Sequence, residues 1–225
     1  EETDYLFGAP RMISSLEVGG KKYPYYLGRD ILPILLEIRK EKEQKKEPRK
    51  VTILYSGDSG FYSGCEKMLA ALRKMDGQDG VTIRVFPGIS SLSALCARIG
   101  VNWQNTEILS AHGTEKEDWA PRLLHFCRRG KRVFLLTSGP GDIREIGSLL
   151  EGQSALPCRV WVGYQLCYPE EKLSYLSPGE CRNVIDPGLY VALVVPESEE
   201  AARGTAEAPE SEETAWEIAA APEGT

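Results

Sequence analysis

The sequence predicts an α/β protein with mostly parallel strand pairing. From about residue 50 onward, short β-branched runs alternate with segments of helical periodicity, the pattern of α/β units. Runs such as VFLL are apolar at every position rather than at alternate ones, which implies strands covered on both faces. The chain has 225 residues, 42% hydrophobic and 27% charged, enough for one large or two small globular domains.

The elements follow in order. YLFGAPRMISSL reads as a short strand and a helix, and ILPILLEIRK places Ile31, Ile34, Leu35 and Ile38 on one helical face. The lysines and glutamates that follow alternate, so they read as a solvated helix end and loop rather than a nucleic-acid patch. VTILYS (51–56) is a strand, and CEKMLAALRKM a helix with Cys65, Met68, Leu69 and Leu72 in register. VTIRVF (81–86) is a second strand of this type. Its helix, SSLSALCARIG, has Leu92, Leu95, Cys96 and Ile99 aligned and Ser90 or Ser91 as N-cap. TEILSA, WAPRLLHFCRR, KRVFLLTS, DIREIGSLL, RVWVGYQL and LYVALVVP continue the alternation. After Pro196 the Ala/Glu/Pro-rich stretch has too little apolar material to offset its ordering entropy, so disorder is expected, with TAWEIAA as a possible docking helix.

Composition excludes several classes. Net charge is −6, and nine glutamates against one arginine after Pro196 supply most of the acidity. A near-neutral body gives no long-range attraction to nucleic acid. No apolar run approaches the roughly 20 residues of a membrane span. The chain opens at Glu1 without a basic-then-apolar leader, so no targeting signal and a cytoplasmic location are expected. Six scattered cysteines with no CxxC pair fit neither a zinc site nor a disulfide scaffold; reduced, packed thiols and no metal are expected.

The chemistry-bearing segment begins at VTILYSGDSGFYSG, residues 51–64. GDSG surrounds the nucleophilic serine of trypsin-like proteases, but here it joins a strand to a helix, and both histidines, His112 and His125, come later. A GxSxG elbow would need glycine where Phe61 stands. Gly57, Gly60 and Gly64 instead let backbone approach a ligand closely, and amides opening the next helix can bind polar groups. A second turn, Pro87-Gly88 followed by Ser90 and Ser91, recurs about thirty residues on. In a parallel sheet both turns would share the carboxyl edge, where ligands bind.

SGDSGFYSG, FPGISSLSALCARIG, LSAHG and VGYQLCYPEE, in that order, resemble the tetrapyrrole (corrin/porphyrin) methylases, and among them the C5-methylating, CbiE-type branch of cobalamin biosynthesis. The resemblance covers roughly residues 3 to 196. It implies two α/β domains, 1–108 and 109–196 with an acidic tail at 197–225, and a cleft between them for S-adenosylmethionine with the tetrapyrrole adjoining. It places Gly57, Asp58, Ser59, Phe61, Pro87, Ser90, Ser91, Leu136 and Thr137 around the methyl donor. Gly113, Tyr168 and Glu170 are implied to face the substrate, with His112 or Tyr62 as the base. Arg11, Arg98 or Arg144 would meet the macrocycle's carboxylates. Family members are commonly homodimers, and a C15-methylating and decarboxylating partner domain or subunit is a further implication.

Two departures stand out. Cys167 occupies a position where the branch has serine, and no GxGPGD loop precedes Asp4, so the family's first strand and loop are expected to be absent from this chain. Ser138-Gly139-Pro140-Gly141-Asp142 has that composition but lies in the second half, where Asp142 is expected to act as a helix N-cap. Two rival readings remain at this stage: a diphthine or ribosomal RNA methylase on the same scaffold, and a non-catalytic protein that binds a tetrapyrrole or a partner.

Overall fold

The computed structural model describes residues 3–45, 49–75, 82–153 and 156–198. The expected acidic tail and its TAWEIAA segment lie outside them, apart from the first two tail residues. The chain forms two compact units that meet at Ile99/Gly100. The sequence places the boundary at 108/109, but strand pairing commits the segment from 106 onward to the second unit, and the boundary moves ahead of it.

The first unit is a three-stranded parallel sheet. Strands β1 (Tyr5–Phe7), β2 (Lys21–Tyr23) and β3 (Val51–Ile53) take the order β2-β1-β3. Helix α1 (Pro10–Ile13) follows β1, with proline at its first position, where the missing N–H costs nothing. Helix α2 (Gly28–Lys45) and helix α3 (Cys65–Met75) pack on the sheet. Ile31, Ile38 and Met68 are buried with Tyr5 and Phe7, and Ile34, Leu35, Ile53 and Leu72 pack around them. This is the helical register expected from the sequence. Helix α4 (Ser91–Arg98) buries Leu92, Ala94, Leu95 and Cys96.

The second unit carries a five-stranded sheet of β4 (Thr106–Ser110), β5 (Arg132–Leu136), β6 (Cys158–Tyr164), β7 (Lys172–Leu176) and β8 (Tyr190–Pro196), ordered β4-β5-β8-β6-β7. Helices α5 (Lys116–Arg128) and α6 (Pro140–Glu151) connect its first strands. Leu109, Leu123, Val133, Leu135, Ile143, Ile146, Val160 and Val194 form its core. Every residue of β8 is buried, as continuous apolarity predicts for a central strand.

Four points of the sequence reading need correction. Only β4 and β5 pair in parallel here; β8 runs antiparallel to both β5 and β6, and β7 antiparallel to β6. The short return 165–171 between β6 and β7 leaves no room for the crossover that parallel pairing requires. The sequence reading has no strand at Lys172–Leu176, whose KLSYL alternates on a largely exposed edge. The segment expected as a strand at 81–86 enters neither sheet over its described residues, 82–86. Asp142, finally, is not the N-cap. Gly139 holds that position, and the Asp142 carboxylate, one turn in, accepts the Ser138 N–H at 2.6 Å.

Candidate functional site

In the first unit all three strands are parallel, so their carboxyl ends lie on one edge. The turn after β3 is built there from its own polar groups. Gly57 has φ +71°, a conformation that side chains resist. The Asp58 carboxylate accepts the Gly60 N–H at 2.7 Å, and the Asp58 carbonyl accepts the Phe61 N–H at 3.1 Å, closing a tight Asx turn. The Ser63 hydroxyl accepts the Cys65 N–H at 3.2 Å as α3 begins. Phe61 meets Tyr62 edge-on with centroids 5.2 Å apart; Tyr62 is exposed and has φ +47°.

The second turn is pressed against the first. A Cβ on Gly88 would lie 2.3 Å from the Gly57 carbonyl oxygen, so only glycine allows this approach. Ser90, buried, caps α4 by accepting the Ser93 N–H at 3.1 Å, and its hydroxyl donates to the Ser93 hydroxyl at 3.0 Å. Ser91 is the first helical residue. Gly57, Asp58, Ser59, Phe61, Tyr62, Pro87, Ser90 and Ser91 are therefore brought together by two touching turns. Phe86 and Ile89 beside them are both 72% exposed, an unusual state for large apolar residues and one suited to a flat or apolar ligand.

The second unit gathers its own set. Strands β4, β5 and β6 run in one direction, since β5 and β6 both oppose β8. Their carboxyl ends carry the segments 110–114, 136–142 and 165–171. The Ala111 and His112 N–H groups both donate to the Leu136 carbonyl, at 2.8 and 3.1 Å, which fixes the His112-Gly113 turn beside Leu136. Gly113 has φ +67°, and the His112 side chain is exposed. The Thr137 hydroxyl is buried and donates to the Tyr190 carbonyl at 2.7 Å, so it holds the strand end rather than facing outward. Tyr168 and Glu170 sit on the same edge, half-buried and exposed respectively.

Sequence reasoning missed residues that hold this edge. Glu171, not its neighbour Glu170, anchors the loop: its carboxylate accepts the Cys167 N–H at 2.6 Å, and Cys167 has φ +65°. Two adjacent glutamates give no sequence signal for which one turns inward. Behind them Tyr164 and Tyr190 pack at 4.9 Å, and their hydroxyls donate to the Pro187 and Asp186 carbonyls. Of the suggested arginines, Arg144 donates to the Val184 carbonyl at 2.8 Å, whereas Arg11 and Arg98 lie on α1 and α4 of the first unit. The hollow lined by Lys116, Pro121, Leu124 and Leu149 lies on α5 and α6, and none of the site residues expected from the sequence lines it. Among the described residues, no three His, Cys, Asp or Glu side chains converge as metal ligands, and no helix is long and apolar enough to cross a membrane.

Comparison with known proteins follows the same lines. The family model for Tetrapyrrole (Corrin/Porphyrin) Methylases matches residues 35–177. A probable cobalt-precorrin-7 C(5)-methyltransferase from Methanocaldococcus jannaschii is 27% identical over 201 residues, 89% of this chain and 88% of that protein. Among solved structures, the methyltransferase CobJ is similar with a TM-score of 0.67 at 18% identity, covering 86% of this chain and 83% of CobJ. A uroporphyrin-III C-methyl transferase from Thermus thermophilus, complexed with S-adenyl homocysteine, has a TM-score of 0.59 at 19% identity over 90% of this chain and 83% of that one.

Proposed function

Because the chain belongs to the tetrapyrrole (corrin/porphyrin) methylases, we propose that it methylates C5 of a precorrin or cobalt-precorrin in cobalamin biosynthesis, with S-adenosylmethionine as donor. The observation that carries this reading is the pair of touching turns at the carboxyl edge of the first sheet, Gly57 to Tyr62 and Pro87 to Ser91. The similarity to a C5-methylating relative over most of both chains favours C5 over other ring positions.

The residues present fit such a donor. A carboxylate has more acceptor capacity than the one bond that Asp58 accepts from the Gly60 N–H takes up, so it suits a cationic group. The exposed Phe86 and Ile89 suit an apolar or flat portion of the same ligand. Gly57, Asp58, Ser59, Phe61, Pro87, Ser90 and Ser91 would hold the donor. Leu136 and Thr137 are assigned to it as well, Thr137 through the backbone it fixes. When bound, S-adenosylmethionine supplies an electrophilic methyl group on a sulfonium. The chain itself then has to orient the partners and keep water out, and no activated serine is needed.

Two exposed side chains are proposed to take the proton that leaves the methylated carbon: His112 at a ring nitrogen, or Tyr62 at its phenolic oxygen. The Leu136 carbonyl fixes the backbone of the His112 turn and leaves the imidazole outward. Gly113, Tyr168 and Glu170 are assigned to the macrocycle. A homodimer is the expected assembly, the cytoplasm the expected location, and a C15-methylating partner a further proposal; light scattering of the purified chain tests the first.

Titration calorimetry with S-adenosylmethionine, followed by methyl transfer from labelled donor to cobalt-precorrin-7, tests the reading. Binding and labelling at C5 support it. Absence of donor binding, or labelling elsewhere on the ring, contradicts it.

A further inference from the structure

The hollow between α5 and α6 has a defined floor and two different ends. Trp119, Leu123 and Cys127 carry the inner face of α5, which leaves Pro121 and Leu124 on its flank. With Leu149 of α6 they form an apolar floor beneath a space of about 410 Å³, within the size range of sites that take small apolar groups. Polar bridges close both ends. Lys116 and Glu145 approach to 4.0 Å at one, and the Arg128 guanidinium donates to the Gln153 side-chain carbonyl at 3.0 Å at the other.

The ends differ in charge. At the first, Lys116 is accompanied by two carboxylates, Glu117 and Glu145. At the second, the Arg128 bond goes to a neutral amide, and Arg129 and Lys131 follow within three residues. An acidic segment would therefore be drawn to the Arg128 end.

The chain delivers such a segment to that end. Strand β8 leads to Glu197, whose N–H donates to the Pro157 carbonyl at 3.0 Å. Ser198 then lies beside the turn that ends α5, since a Cβ on Gly130 would sit 3.5 Å from the Ser198 Oγ. From Ser198 onward, residues 198–214 can reach roughly 50 Å when extended, and a coil of that length averages about 22 Å. The hollow runs along α5 for about 18 Å from Arg128 to Lys116. The order of residues matches the order of the hollow. Glu210, Glu212 and Glu213 come first, and then residues 214–220, TAWEIAA, with the large apolar side chains Trp216 and Ile218.

We propose that residues 214–220 dock in this hollow within the same chain. Trp216 and Ile218 lie over Pro121, Leu124 and Leu149, and Glu212 and Glu213 lie toward Arg128. Tethering holds the segment at an effective concentration on the order of millimolar, so modest contacts suffice. The docked segment covers an apolar strip that would otherwise be open to other chains. This proposal concerns α5, α6 and the acidic segment, and stands whether or not the methyl donor binds.

NMR of the full chain 1–225 with labelled leucine methyl groups tests it. Nuclear Overhauser contacts should join the Trp216 indole to the Leu124 and Leu149 methyls, with intensities unchanged on dilution. Trp216→Ala, which alters no residue of the second unit's core, should abolish these contacts and shift both sets of methyls. Leu193, fully buried in β8, serves as the unmoved reference. Arg128→Glu should lower the docked-to-free ratio about fivefold, the upper end of what an exposed ion pair contributes. Coincident methyl spectra of the chain and Trp216→Ala overturn the proposal, as does an indole that contacts another surface. So do contacts that arise only between differently labelled chains, which would make the occupant a second copy's segment, or a ratio that Arg128→Glu leaves unchanged.

Discussion

At Asp58 one carboxylate has two duties, and substitutions can separate them. It closes its own turn through the Gly60 N–H, and in the proposed function it also faces the donor's positive charge. Asp58→Asn keeps an acceptor for the turn and removes the charge. It should weaken S-adenosylmethionine binding about tenfold, the scale of one charge-assisted contact, with the melting temperature nearly unchanged. Asp58→Ala should lose both affinity and stability. Ser59→Ala should retain methyl transfer, since no nucleophilic serine enters the chemistry; complete loss of transfer with donor affinity intact would contradict the assignment.

Gly88 tests the contact between the two turns. Alanine there places a Cβ against the Gly57 carbonyl, a backbone atom that cannot step aside cheaply. Gly88→Ala should cost about 2 kcal/mol of stability as overpacking, measured by urea denaturation. It should weaken donor binding as well if both turns contribute to the site. Unchanged stability would mean that the turns part readily.

Among the elements, α6 (Pro140–Glu151) meets the 3-10 helix Pro178–Asn183 at a point of very close approach. A Cβ on Gly147 would lie 2.4 Å from the Cys181 Cβ and 2.5 Å from the Pro178 carbonyl oxygen. Cys181 is fully buried there, and burial, with the Glu180 charge adding to it, pushes its thiol up from 9.0 to about 11. The folded state therefore holds this proton more tightly than the unfolded chain does. Its contribution is complete below pH 9 and is lost as pH rises from about 9 to 11. Cys181→Ala should flatten that part of the stability–pH curve measured by chemical denaturation. An unchanged alkaline slope in the variant would show that another group is responsible.

The same elements show what the sequence could and could not disclose. Helical faces were legible, because burial of Ile31, Ile38 and Met68 follows from spacing alone. The turns were legible too, because Gly57 and the Ser90 cap are local features whose chemistry lies within a few residues. Partner choice between strands was not. Nothing local in LYVALVVP says that it runs antiparallel between β5 and β6, and TIRVFP has a strand's composition whether or not a neighbour is present. Glu171 was hidden because nothing local distinguishes it from Glu170, and Gly188 because the Tyr164 ring, which leaves no room for a Cβ there, approaches it only once the strands assemble.

For the whole molecule, the cysteines give a simple check on packing. Cys65, Cys96, Cys127, Cys158 and Cys181 are buried and unbridged, and Cys167 is exposed on the loop after β6. Native protein treated with iodoacetamide should label first at Cys167, with the other five reacting only on unfolding. Rapid labelling at Cys127 or Cys158 would contradict the packing of the second unit's core.

In the first unit the two touching turns hold a carboxylate and exposed apolar side chains, and in the second one sheet edge bears His112, Tyr168 and Glu170. The most direct measurement is transfer of a labelled methyl group from S-adenosylmethionine to cobalt-precorrin-7, with the product's methylated carbon located by NMR. The account predicts a new methyl group at C5, and a lower yield with Asp58→Asn at limiting donor than at saturating donor. Donor bound with a methyl group placed at another ring carbon, or no donor bound, would contradict it.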